Sequence, residues 1–248
     1  LVVGELQGRA AATRIVLAAA TDEAEVVAFA ADRIEAKDDL IFDSDARAVK
    51  ARSVRRLGGI ELRSESRPVR ANEDASLVLA HGIAALGVGV LPWSKAQLQM
   101  RNRVAFLRAG DDNWPDLSDA ALTASVEQWL APSLSGKTRI AEIDATVLDQ
   151  ALTALLPWAM RQRLDSEAPT HFQAPTGNSF ALDYEGAGAP ALHIRVQELY
   201  GLKDHPAIAR GRLPLTLYLL SPAHRPIQIT RDLPGFWSGS WAAVSTDM

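Results

Sequence analysis

The sequence predicts an α+β fold in three parts: a small OB-like antiparallel β-barrel over residues 1–70, a helical region over 71–166, and an antiparallel β-sheet with a terminal helix over 167–248. Three observations predict it. Short strand-like runs separated by turn-forming residues crowd the first part. Stretches with mixed apolar and charged faces, several led by serine caps, fill the middle. A two-residue alternation then returns and ends in apolar residues three and four apart.

In the first part, Leu1 to Leu6, Thr13 to Leu17, Asp39 to Asp43, Ala46 to Leu57 and Ile60 to Ser66 read as strands. Asp43-Ser44-Asp45 and Gly58-Gly59 supply hairpin turns, because short polar side chains and glycine accept the backbone angles a tight turn needs. Asp22 to Ile34 reads as a helix, with Thr21 or Asp22 capping its first amides. Five short strands and one helix fit a small barrel, which would leave no open sheet edge. The chain begins at Leu1 in what reads as the middle of a strand, so it is expected to be part of a longer protein.

In the second part, Asn72 to Leu86, Ser94 to Arg108, Ser118 to Leu130 and Thr146 to Leu164 read as helices, with Ser94 and Ser118 as caps. Pro157 falls inside the last pattern and should start or kink a turn, since its ring removes a backbone donor and crowds the preceding turn. In the third part, Phe180, Leu182 and Tyr184 alternate, as do Leu192, Ile194 and Val196. Leu213, Leu215, Leu217 and Leu219 share one strand face, with Thr216 and Tyr218 on the other. Ser221-Pro222 and Arg225-Pro226 bracket a turn, and Ile227 to Thr230 resume the alternation. Asp232 can cap a helix with Pro234 in its first turn, on which Leu233, Trp237, Trp241, Val244 and Met248 share a face.

Composition bounds the function. The 248 residues are 48% hydrophobic and 23% charged, ordinary for a globular chain. A net charge of −4 argues against a uniformly basic coat but leaves room for a local basic patch. With no cysteine, disulfides and thiolate metal sites are excluded, which is compatible with a cytoplasmic location. No apolar run reaches the roughly 18 residues of a membrane span, so no membrane partner is expected.

Ala131 to Thr138, APSLSGKT, fits a relaxed Walker A pattern with alanine in place of the first glycine. A working phosphate loop needs a strand before it and a helix after it, so that its amides wrap the phosphates. Here the preceding residues read as helix and Pro132 removes a donor, so the match reads as a decoy. The histidines His81, His171, His193, His205 and His224 are scattered without metal-binding spacing, and no nucleophile elbow is present. His193, among apolar neighbours on a strand, reads as surface-facing.

Basic residues are the remaining lead. Arg47, Lys50, Arg52, Arg55, Arg56, Arg63, Arg67 and Arg70 lie in one strand-rich stretch. Such a face can track a phosphate backbone; equally, it can be a solvated edge protected from pairing by its charge. In the closing segment, Arg225, Gln228, Thr230 and Arg231 can face outward and Tyr218 can stack a base. The structural alternative makes Arg231-Asp232 a local ion pair and Phe236, Trp237 and Trp241 core.

Several of these positions resemble a known family. Leu219-Leu220-Ser221-Pro222-Ala223, Arg225-Pro226, Thr230-Arg231-Asp232-Leu233 and Phe236-Trp237 are similar to the C-terminal region of the HrpB-type ATP-dependent helicases, a bacterial branch of the DEAH-box RNA helicases. Pro175-Thr176-Gly177, Tyr184, Val196 to Gly201 and two Leu-Pro-Trp triplets, Leu91 to Trp93 and Leu156 to Trp158, also resemble family positions. The resemblance implies a parent enzyme that hydrolyses ATP, with magnesium, to act on RNA, and raises the expectation of an OB barrel. The motor motifs are not among these residues, so the chain itself is expected to carry no catalytic site, no cofactor and no metal. Its expected role is to guide RNA or single-stranded nucleic acid, or to brace the motor domains of the same polypeptide. Its expected contacts are Arg47, Lys50, Arg52, Arg55, Arg56, Arg63, Arg225, Gln228 and Arg231. The alternative is a protein-interaction or scaffold module without nucleic-acid binding.

Overall fold

In the computed structural model, which describes residues 2–9, 12–70, 74–185, 188 and 190–242, the chain divides into two units. The first comprises residues 1–82 with 135–142, and the second 83–134 with 143–248. The helical region therefore belongs largely with the C-terminal strands.

In the first unit, strands β1 (Val2–Arg9) and β2 (Ala12–Ala19) form an antiparallel hairpin that runs from Val2↔Ala19 to Arg9↔Ala12. Helix α1 (Glu23–Phe29) follows, capped by Asp22, whose Oδ1 accepts the Glu25 amide at 2.8 Å. Strands β3 (Ile34–Asp43), β4 (Ala48–Leu57) and β5 (Ile60–Arg67) make a second, open antiparallel sheet in the order β3-β4-β5. Both expected turns are present. Asp43 Oδ1 accepts the amides of Asp45 and Ala46, and Gly58 sits at φ 57° between Leu57 and Ile60.

The expected OB-like barrel is not found: among the described residues β1 and β2 pair only with each other, and β3 to β5 do not close. A barrel requires an inward face on every strand. Val2, Val3, Leu6, Ile15, Val16 and Leu17 are instead 40–61% exposed, so the hairpin buries no face against the sheet. Strand number was readable from turn residues, but closure depends on pairing between distant strands.

The Walker-like segment has a structural role. Its Ala131–Leu134 portion is a 3-10 helix that follows another helix, with no strand before it. Beyond Gly136, at φ 73°, Thr138 accepts the Val49 amide at 2.7 Å and Ile140 donates to the Arg47 carbonyl at 3.1 Å. Arg139 bridges Ala48. These residues thus satisfy backbone groups at the start of β4, where the β5 pairing has not yet begun. Helix α2 (Ser76–Leu86) brings Gly82 against Phe42, so close that a Cβ on Gly82 would lie 2.1 Å from the ring.

In the second unit, α3 (Lys95–Arg108) opens with a capping box between Ser94 and Gln97. Helices α4 (Asp119–Ala124), α5 (Val126–Trp129), α6 (Ala145–Leu155) and α7 (Trp158–Glu167) follow. Ser118 caps α4 as expected, and Pro157 separates α6 from α7 as expected. Trp114, Trp129, Leu122, Leu148 and Leu152 are core. Arg103, only 5% exposed, donates to the carbonyls of Leu164 and Ala168 and to Asp165, and so satisfies the C-terminal end of α7.

Strands β6 (His171–Gln173) and β7 (Ser179–Ala181) form a hairpin. β8 (Ala191–Arg195) then joins a three-stranded sheet with β11 (Thr216–Leu220) and β12 (Pro226–Thr230), while β9 (Ala207–Ile208) and β10 (Leu213–Pro214) form a short hairpin between them. This sheet is mixed, a correction to the expected antiparallel one: β8 and β11 run parallel. The long connection over residues 196–215 supplies the crossover that a parallel pair needs. Leu192, Ile194, Leu215, Leu217 and Leu219 line its buried face. The terminal helix α8 (Leu233–Ser238) is capped by Asp232 and buries Leu233 and Phe236; Val244 and Met248 lie outside the described residues. Among the described residues no helix is long and apolar enough to cross a membrane.

Candidate nucleic-acid interface

The predicted basic residues of the first unit do not share one face. Side chains alternate along β4, so Lys50, Arg52 and Arg56 project from one side and Arg55 from the other. Cross-strand pairing puts Arg63 directly opposite Arg55, because partners in an antiparallel ladder share a face. A register irregularity between Arg55 and Arg56 lies beside this pair. Arg47 stands apart, exposed in the turn before β4 at φ 48°.

Acidic residues on β3 and β5 neutralise much of the charge. Lys50 pairs with Asp43 at 2.5 Å, Arg56 with Glu61 at 3.4 Å and Arg67 with Asp38 at 2.8 Å. Hydrogen bonding from the Arg67 and Ser53 side chains holds the Asp38 carboxyl below its ordinary range. The Ala46 amide and the Lys50 ammonium do the same for Asp43. Arg52 faces Asp39 in register, but Asp39 is engaged by Lys37 at 2.9 Å, and the Arg52 Nε is enclosed without a hydrogen-bond partner among the described residues. Arg63 leans on Glu65 through a 2.7 Å bond from Nε. Arg47 and Arg55 have no ion pair among the described residues.

In the second unit the three strands set another surface. Tyr218, on β11, lies in register with His193 on β8 and Ile229 on β12. The Tyr218 and His193 rings stack with centroids 4.4 Å apart and planes 19° from parallel. His193 is exposed, as expected, and Ile229 is 61% exposed. Gln228 and Thr230 pair with Leu219 and Leu217, so they sit on the leucine side of the sheet. This corrects the expectation that they face outward with Tyr218. Thr230 instead closes a local turn with Asp232, accepting its amide at 2.9 Å and donating to its carbonyl. Arg225 and Arg231 are exposed and carry no side-chain partner among the described residues. Local alternation does not reveal Ile229, since the apolar Ile227 and Ile229 read as a core face; the pairing of Ile229 with Tyr218 is what turns it outward.

Trp237 and Trp241 are only half-buried. They pack edge-on at 5.5 Å, together with Tyr200, beside an open recess of about 550 Å³ that Leu202, Lys203 and Pro234 also line. Among the described residues no group of three or more histidines, aspartates or glutamates is placed to hold a metal ion.

A family of sequences described as "ATP-dependent helicase C-terminal" matches residues 129–248. The ATP-dependent RNA helicase HrpB of Escherichia coli strain K12 is 36% identical over 246 residues, covering 98% of this chain and 30% of that protein. A crystal structure of the E. coli DExH-box NTPase HrpB superposes with a TM-score of 0.69 at 36% identity, over 99% of this chain and 31% of that one. A second, of the E. coli DEAH/RHA helicase HrpB, gives 0.64 at 35% identity over 86% and 27%. The chain therefore spans less than a third of the length of these relatives.

Proposed function

This chain belongs to the HrpB-type helicases, whose C-terminal region it matches, and from that premise we propose that it guides single-stranded nucleic acid for a motor that hydrolyses ATP, with magnesium, elsewhere in the same polypeptide. The likeness to a protein named as an RNA helicase favours RNA as the strand. The chemistry lies with the motor; these residues position the strand.

The observation that carries this reading is the register of Arg55 against Arg63. Like charges directly opposite in a ladder destabilise a sheet; Glu65 already offsets Arg63, and a bound polyanion would relieve Arg55. Arg55 is exposed and has no counter-ion among the described residues, and Arg47 adds a second such charge in the turn before the same strand. Arg52, Lys50 and Arg56 would contribute as a supporting field, damped by their carboxylate partners. Titrating labelled single-stranded RNA with the chain at several salt concentrations tests the reading, since phosphate contacts weaken steeply with salt.

A protein-interaction module is the second reading. The ion pairs on β3 to β5 and the half-exposed aromatic group of Tyr200, Trp237 and Trp241 favour it. Absence of RNA binding even at low salt would leave that reading standing.

A further inference from the structure

We infer that the outer face of the β8-β11-β12 sheet is a base-stacking platform for unpaired nucleotides, centred on Tyr218 and His193; this rests on the nucleic-acid reading above. Strand alternation commits one face of this sheet to the leucine core, which leaves the other in water. A row of Ile229, Tyr218 and His193 then crosses all three strands at one level. Apolar and aromatic groups aligned on an open face need an explanation, since isolated exposed residues are ordinary but a contiguous row is not.

The occupant is argued from ring geometry and charge. In the Tyr218–His193 stack each ring covers one face of the other, so a base, which always has a π face, would extend the stack on the exposed His193 ring that Tyr218 backs. Arg195, two residues beyond His193 on the same side, and Arg231, two residues beyond Ile229, flank the row and suit phosphates on either side of a stacked base. Arg195 is positioned by a 2.7 Å bond to Glu198, which leaves its remaining donors available. Asp183, across from Ala191, is a carboxylate on this side, and its Oδ1 is occupied by the Glu185 amide at 2.7 Å.

The test uses the chain with two probes of equal length, a labelled uridine oligonucleotide and its abasic ribose–phosphate counterpart. Tyr218→Ala should weaken the base-bearing probe about 10-fold and leave the abasic probe unchanged, while Tyr218→Phe keeps full affinity because the ring remains. Unchanged affinity of Tyr218→Ala for the base-bearing probe, or an equal loss for both probes, overturns the platform. If Tyr218→Ala fails to fold by circular dichroism, His193→Ala at the exposed edge of the stack carries the same comparison: selective loss of the base-bearing probe supports the platform, and no loss or an equal loss overturns it. Binding that Arg55→Glu/Arg63→Glu abolishes but Tyr218→Ala spares keeps the guiding role and removes the platform. No binding of either probe removes both. Self-association lost on Ile229→Glu, with oligonucleotide affinity unmoved, assigns the face to a second copy of the chain and also overturns it.

Discussion

Asn178 donates its side-chain amide to the carboxylate of Glu198 at 2.9 Å. Thr176 donates to the same oxygen and Arg195 binds the other at 2.7 Å, so a single carboxylate ties the β6–β7 turn to the end of β8. Glu198 is 5% exposed, and hydrogen bonds from Thr176, Asn178 and Arg195 are what hold its ionised form in place.

That arrangement gives stability a pH dependence of known sign. The Thr176 bond first, then those from Asn178 and Arg195, depress the Glu198 carboxyl below its ordinary 4.5. A depressed carboxylate stabilises the fold above the unfolded value, and that contribution is lost as pH falls through the lower folded value. Melting temperature should therefore drop below about pH 4.5, and Glu198→Gln should lower it at pH 7 and flatten the acid limb. A Glu198→Gln profile parallel to that of the parent chain would contradict this.

Gly82 is fixed by contact. A Cβ there meets the Phe42 ring at 2.1 Å, a distance that requires the ring or helix to move. Gly82→Ala should destabilise the first unit by about 1–3 kcal/mol despite the better helix propensity of alanine. Combining it with Phe42→Ala should be less harmful than the sum of the two changes, because one removes the clash that the other creates. Urea denaturation of the four proteins measures the coupling.

Arg103 closes the end of α7 from inside the protein. Arg103→Met keeps the apolar stem but removes the donor to the Ala168 carbonyl, the ion pair with Asp165 and a second donor to the Leu164 carbonyl, which also accepts the Ala168 amide. The expected loss is about 2–4 kcal/mol in chemical denaturation, against under about 0.5 kcal/mol for Arg161→Met on the exposed face of the same helix.

Lys137 separates sequence likeness from function. Its loop follows helices and delivers Thr138 and Ile140 to the backbone of β4. Addition of ATP and magnesium should leave the melting temperature of the chain unchanged, with Lys137→Ala indistinguishable in this respect. A ligand-dependent rise that Lys137→Ala removes would restore a nucleotide site.

Much of the fold was legible because it depends on neighbours in sequence. Asp22, Ser94, Ser118 and Asp232 act as caps where they were expected, Gly58 turns where it was expected, and Pro157 divides α6 from α7. Leu215, Leu217 and Leu219 occupy the core face that their spacing predicts, whereas Leu213, in the separate strand β10, is 38% exposed. The failures lie where distant segments meet. Nothing local says that β8 pairs parallel to β11, or that β1 and β2 stay out of the next sheet.

The candidate site shows the same division. Arginine-rich strands were visible in the sequence, but the acidic partners Asp38 and Asp43 come from β3, set by register. Strand alternation splits Arg55 and Arg63 from Lys50, Arg52 and Arg56, and the irregularity beside Arg55 shifts the pairing of β5. His193 and Tyr218 are 25 positions apart in the chain, so their stack appears only in the parallel register.

The claim that this region guides a nucleic-acid strand is tested most directly by titrating labelled single-stranded RNA with the chain, and with Arg55→Glu/Arg63→Glu, from low to physiological salt. The account predicts salt-sensitive binding whose log–log slope shrinks by roughly 1.4 in the double variant, as expected for two lost phosphate contacts on a single strand. No binding at low salt, or identical curves for the two proteins, would contradict it.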